Sequence, residues 1–214
     1  MIYEDVDLAS LRSVEVEFSQ ATALGVITVD RRGEPVTPAC GFSAFCLEIR
    51  KDPIRRQMCY ACDAYGGLQS AMDGKPRIYR CHAGLVDFSI PIVVGENYLG
   101  AILCGQARVP RNADDPGYLI SPTQTWQENP VLAELYTQIP QLNIKKVRSA
   151  ANVLAALAKE ITQTKLANTL TGRMPLPVER ARELTQSRLS ADAEANHQCN
   201  PSDTALPLPA SDRR

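Results

Sequence analysis

Between Pro76 and Val109 the chain carries three β-rich runs, PRIYRC (Pro76–Cys81), LVDFSIPIVV (Leu85–Val94) and YLGAILCGQARV (Tyr98–Val109). Only His82-Ala83-Gly84 and Gly95-Glu96-Asn97 separate them. Connections this short have no room for the crossover that parallel neighbours need, so the runs pair antiparallel. Gly95-Glu96-Asn97 reads as a tight hairpin. An earlier run, GVITVD (Gly25–Asp30), stops at the turn-forming Arg31–Pro35 and supplies a further strand.

Helical spacing surrounds this sheet. Leu8, Leu11, Val14, Val16 and Phe18 predict a helix from about Asp5 to Leu24, with Asp7 as a cap and Gly25 as the stop. The stretch from Phe42 to Gly74 holds three of the seven cysteines and splits into two predicted helices, Ser43–Lys51 and Pro53–Met72, because Pro53 suits a first helical position. Gly66 and Gly67 weaken the middle of the second. A polar loop, Pro110–Asn129, precedes a short helix at Pro130–Gln138. A long helix follows from Asn143 to Leu170, on which Val147, Ala150, Leu154, Leu157 and Ile161 form a heptad seam. That seam suits either a parallel homodimer or packing on the chain's own sheet. After Thr171, Pro175 and Pro177 break the pattern; a short helix is possible at Pro177–Ser190, and a flexible, disordered tail is expected to Arg214. The expected class is α+β: a PAS- or GAF-like antiparallel sheet with helices on one face, inserted cysteine-bearing helices and a long C-terminal signalling helix. The expected parts are a sensory domain over 5–142, an exit or dimerisation helix over 143–170, and the tail over 171–214.

Charge and composition remove several function classes. The net charge is -1, with Lys and Arg scattered among acids, so no basic face points to direct nucleic-acid binding. No apolar run is long enough to span a bilayer, and the acidic, amphipathic N-terminus is unlike a signal or transit peptide. The expected compartment is the cytoplasm. Seven cysteines there are buried small hydrophobes, metal ligands or redox groups rather than disulfides.

The densest chemistry is Cys46, Cys59, Cys62, Cys81 and His82. Cys59 and Cys62 share one helical face, and with Cys46 and Cys81 they could offer four thiolates to zinc or an iron–sulfur cluster. The competing reading is buried cysteines lining an apolar pocket. A thioredoxin-like role fits poorly, because the pair lies inside a helical run with no strand before it. His82 is either a structural hydrogen-bonding residue or a pocket group; nothing in the spacing supplies the orienting group that a Cys–His nucleophile needs. Asp87 and Ser89 share one face of a strand, expected to be a solvated outer face or else a pocket wall. Gly105-Gln106 inside a strand signals a bulge or a ligand's close approach, and Gln106 can both donate and accept. Serine-hydrolase, P-loop and dinucleotide patterns are absent, so no enzyme is expected.

The segment IYRCHAGLVDFSIPIVVGENYLGAILCGQ (Ile78–Gln106) resembles the signature of the PocR sensory domain, a PAS-like module of bacterial signalling proteins and AraC-type regulators. The likeness extends through FCLEIRKDPIRRQMC (Phe45–Cys59) and Gly66–Leu68 to FSQATALGVITVDRRG (Phe18–Gly33), covering about Asp5 to Leu170. It implies sensing of short diols, alcohols, polyols such as glycerol, or related simple metabolites. Cys46, Cys59, Cys81, His82, Asp87 and Gln106 match its motif, and Phe45 joins them as a ligand-binding candidate. The helix-turn-helix of the AraC-type regulators does not follow the long helix, so a stand-alone or truncated sensor is expected. Its partners would be a small ligand, a second copy through 143–170, and a downstream regulator or enzyme. The alternative is a metal- or iron–sulfur-based redox sensor on Cys46, Cys59, Cys62 and Cys81.

Overall fold

The computed structural model describes residues 6–112, 114–123 and 125–170, with side chains to Ile161. The expected tail and the helix at Pro177–Ser190 lie outside the described residues.

Helix α1 (Leu8–Thr22) starts where Asp7 accepts from the N–H groups of Ala9 and Ser10, and it ends at Ala23, which takes the left-handed conformation. Gly25 is therefore not the stop but the first residue of β1 (Gly25–Asp30). Ser43 caps α2 (Ala44–Ile49), and Asp52 caps α3 (Pro53–Asp73), which has proline in its first turn as expected. Strands β2 (Arg77–Arg80), β3 (Val86–Val94) and β4 (Asn97–Ala107) follow. Val94 pairs with Asn97, leaving Gly95 and Glu96 as the hairpin loop. Gly95 has positive φ, as the first central residue of a type II′ turn requires. A 3-10 turn (Thr125–Glu128) leads into α4 (Pro130–Thr137), and α5 runs from Ile144 to Leu170.

The four strands form one antiparallel sheet in the order β1-β4-β3-β2. The α+β class and the sheet stand as expected; the distribution of helices differs. Side chains alternate across a strand, so one face presents Val26, Phe88, Ile90, Ile92 and Ile102, which α1 and α5 cover with Leu11, Phe18, Val147, Ala151 and Leu154. The other face presents Ile27, Val29, Ala101 and Leu103, and α3 closes it with Cys62. Helices thus occupy both faces. The physical reason is that β1 and β4 carry apolar side chains toward both faces, Val26 and Ile102 on one and Ile27, Val29, Ala101 and Leu103 on the other, and such a sheet needs two covers.

Two glycines let α3 approach the sheet. A Cβ on Gly66 would lie 2.4 Å from the Tyr79 ring, and one on Gly67 would lie 2.9 Å from Ala101 Cβ. The sequence reading treated them as weak points, yet they are where helix and sheet touch most closely. The heptad seam divides in a similar way. Val147 and Leu154 are buried in the chain's own core, Ala150 and Ile161 are half-buried, and Leu157 stays exposed beside Val153. Below the sheet, Glu15 is fully buried; it accepts from the Thr28 and Thr37 hydroxyls and meets Arg12 at 3.4 Å, and Arg12 in turn donates to the Pro38 carbonyl. Burial raises the Glu15 pKa, and those contacts oppose the rise. Among the described residues no helix is long and apolar enough to cross a membrane.

Candidate functional site

Under α3, on the sheet face away from α5, lies a cavity of about 40 Å³. Phe45, Cys46, Cys59, Cys81, His82, Asp87 and Gln106 all line it, and so does Cys62. The turn of α2 supplies Phe45 and Cys46, the inner side of α3 supplies Cys59 and Cys62, and the β2–β3 turn supplies Cys81 and His82. Strands β3 and β4 complete it with Asp87 and Gln106.

The β3–β4 ladder slips between Val86 and Phe88, so a bulge places Asp87 opposite Gly105-Gln106. The Gln106 N–H donates to Asp87 Oδ1 at 2.6 Å, and the Ser43 N–H donates to Gln106 Oε1 at 2.8 Å. Gln106 adopts φ 68°, uncommon outside glycine. Gly105 next to it is required, because a Cβ there would fall 2.5 Å from Asp87 Cα. The sequence signal at Gly105-Gln106 thus marks a bulge at the cavity wall. Burial pushes the Asp87 carboxyl up to about 7, with the Gln106 N–H opposing the rise and Asp63 adding to it. Asp87 and Ser89 do not lie on a solvated face: α3 covers them, and Ser89 donates to the Gly66 carbonyl at 2.6 Å. Alternation alone could not separate those cases, because the covering helix comes from elsewhere in the chain.

His82 is almost fully buried and engaged on three sides. Its Nε2 lies 3.3 Å from Cys59 Sγ, its Nδ1 lies 2.6 Å from Thr123 Oγ1, and its backbone N–H donates to Cys62 Sγ at 3.3 Å. The orienting third group that the sequence did not reveal is therefore Thr123, in the loop before α4. Burial drives the pair toward neutrality: the imidazole falls to about 4, with Arg50 and Arg55 adding to the fall, and the Cys59 thiol rises to about 12. A nucleophilic Cys–His pair needs the opposite shifts. The geometry suits positioning by hydrogen bonds.

Burial likewise raises Cys46, Cys62 and Cys81. Cys59 and Cys62 sit mid-helix on α3, far from the positive N-terminal end that would stabilise a thiolate. Among the described residues no three His, Cys, Asp or Glu side chains gather as metal ligands. Zinc or an iron–sulfur cluster needs thiolates drawn into one coordination shell, and among the described residues Cys46, Cys59, Cys62 and Cys81 are not gathered in that way. The sequence reading also missed an ion pair in the wall, Arg50 Nη2 to Asp63 Oδ2 at 3.0 Å. Arg50 stacks over Phe42 at 5.2 Å and Tyr60 at 5.9 Å. Burial penalises the charge of Asp63, and the Arg50 guanidinium opposes that.

An antiparallel sheet, sealed by helices on one side and holding a small mixed-polarity cavity under helices on the other, is the build of a sensory, ligand-binding module. The family described as the sensory domain found in PocR matches residues 4–166, and the chain belongs to that family. A curated relative, the Regulatory protein PocR of Salmonella typhimurium strain LT2, is 31% identical over 156 residues, which is 73% of this chain and 51% of the relative. The chain thus spans about half the length of that relative. No solved structure matches it.

Proposed function

We propose that the chain senses a short diol, polyol or related simple metabolite in the α3-covered cavity. One observation carries this reading: Asp87, His82 and Gln106 share the cavity with Phe45, Leu85 and Ile27. Hydroxyl-binding groups thus stand across from surfaces suited to a carbon skeleton. At about 40 Å³ the space takes roughly one to three waters, less than a three-carbon diol occupies. A guest therefore binds the state in which α2 and α3 stand further from the sheet, and that differential affinity is the signal. Strand β3 carries it onward, because Asp87 lines the cavity and Ser89 bonds to α3, while Phe88 and Ile90 on the same strand meet the α5 side.

The output we propose is a shift of α5 that changes a homodimer contact through 143–170, supported by the exposed Val153 and Leu157, and acts on a downstream regulator or enzyme rather than on nucleic acid. The module acts without catalysis. Six free cysteines among the described residues suit the reducing cytoplasm. Calorimetric titration of the full chain with 1,2-propanediol, glycerol and ethanediol tests the proposal. Saturable heat that disappears in Asp87→Ala is expected. If none of the three compounds binds, or if Asp87→Ala binds them equally well, the reading fails.

A further inference from the structure

A second, larger cavity of about 260 Å³ opens on the outer side of the His82–Gly84 turn. Arg80, Arg111, Tyr118, Thr123, Trp126 and Tyr136 are among its walls, and among the described residues no Asp or Glu lines it. Its two cations differ in what they have left to give. Arg80 is nearly fully buried and committed, through Nε to Asp115 at 2.9 Å, through Nη1 to the Gly84 carbonyl at 2.7 Å and through Nη2 to the Val109 carbonyl at 2.9 Å. It is a fixed part of the wall, partly neutralised by Asp115.

Arg111 is the spare cation. Its guanidinium stacks on the Tyr118 ring at 5.0 Å and donates to Tyr118 Oη at 2.6 Å. Its carboxylate contact, with Asp115 Oδ2, is 4.0 Å long, and its side chain is 63% exposed. The hydroxyls converge at the same place: a Cβ on Gly84 would lie 3.4 Å from Tyr118 Oη and 3.9 Å from Tyr136 Oη. Gly84 has φ 92°, a conformation that other residues rarely adopt, so both phenols look onto bare backbone. A guanidinium held against an aromatic ring and flanked by hydroxyl groups suits a planar or tetrahedral oxyanion.

We infer that this outer cavity binds a small organic anion through a carboxylate or phosphate group, with Arg111 as the charged anchor and Tyr118, Tyr136 and Thr123 as hydrogen-bonding partners. The volume suits roughly five to nine non-hydrogen atoms, at about 30 Å³ for each water-sized unit. The site does not depend on what fills the inner cavity, but the two are joined. His82 reaches Thr123 in the outer wall with Nδ1 and Cys59 in the inner wall with Nε2. An anion that takes the Thr123 hydroxyl changes the partner of that imidazole, so each occupant alters the affinity for the other.

Trp126 is the one tryptophan of the chain and lies in the outer wall, so its fluorescence reports directly on this cavity. The full chain is titrated separately with inorganic phosphate and with lactate, at an ionic strength held constant with sodium chloride. A saturable change with either anion is expected; phosphate alone points to a phosphate ester as the natural occupant, lactate alone to a carboxylate. Arg111→Gln, at an exposed position, should weaken that binding about tenfold or more, as loss of a charged hydrogen bond does. Tyr118→Phe should weaken it less and provides a second check. Saturation by neither anion overturns the inference, and so do titration curves that coincide for wild type and Arg111→Gln. Displacement by 1,2-propanediol that grows without limit as the diol is raised, instead of shifting the anion affinity by a bounded factor as coupled sites do, would mean one shared site and would overturn it as well. A chain that binds the anions but not the diol leaves this inference standing while removing the one above.

Discussion

The Asp87 carboxyl is the most exacting test of the cavity, because its replacement by Asn keeps an acceptor for the Gln106 N–H while removing the ability to ionise. An unfolded Asp loses its proton near the ordinary value of 3.8, whereas in the fold burial keeps it protonated up to about 7. Across that window the folded chain binds more protons than the unfolded one, so stability falls as pH rises. At about 1.4 kcal/mol for each pH unit, the whole cost is about 4 kcal/mol, of which about 2–3 kcal/mol develops between pH 5 and pH 8. Other titrating groups contribute to both proteins alike and cancel in the difference. Urea unfolding followed by Trp126 fluorescence at the two pH values should therefore show Asp87→Asn gaining on wild type by about 2–3 kcal/mol from pH 5 to pH 8. An unchanged difference would mean that Asp87 ionises as in water, and the dry cavity wall described above would be wrong.

Three further outcomes follow from the same geometry. His82, whose folded pKa is depressed from 6.5 to about 4, contributes stability that is present above pH 6.5 and lost as pH falls toward 4. His82→Gln should flatten that acid limb, by up to about 3 kcal/mol; an acid-unfolding curve that keeps its midpoint in the variant would contradict the assignment. Gly66→Ala should destabilise by about 1–3 kcal/mol through overpacking against Tyr79, although helix propensity alone favours Ala by about 1 kcal/mol; a rise in unfolding temperature would show a loose α3–sheet contact. Cys59, raised to about 12, should resist iodoacetamide at pH 8 in the native chain and react once urea is added. Rapid native alkylation, seen by mass spectrometry of its peptide, would show a thiolate.

The sheet was legible because its information is local. Alternation, a two-residue turn and capping side chains at Asp7, Ser43 and Asp52 act within a few residues of the elements they define. His82 and Gly105-Gln106 were legible for a related reason, since glycine in a strand and a histidine at a tight turn are locally expensive choices; the cysteines were marked by their spacing and by the resemblance. What stayed hidden was long-range. Thr123 reaches His82 across the intervening β3–β4 hairpin, and Asp63 pairs with Arg50 from a different helix. Whether Asp87 faced water or a helix depended on where α3 lay down. The heptad seam on α5 left two packings open for a similar reason, because a spacing that suits a partner helix suits the chain's own strands equally well.

The strand order has a consequence for how the chain is made. Among the described residues β1 pairs in the sheet with β4 alone, and β4 is the last of the four strands to be synthesised. At about 5–20 residues per second, a ribosome takes roughly 4–14 seconds to pass from one to the other. Throughout that interval the apolar Val26, Ile27 and Val29 have α1, the bridging segment at Pro35 and Cys40, Phe42 and α3 for cover, but no β4 to complete the ladder. The nascent chain therefore passes its most aggregation-prone moments before Gly100–Gly105 emerge. Slowing translation after Asp30 should lower the yield of folded protein more than slowing it after Ala107.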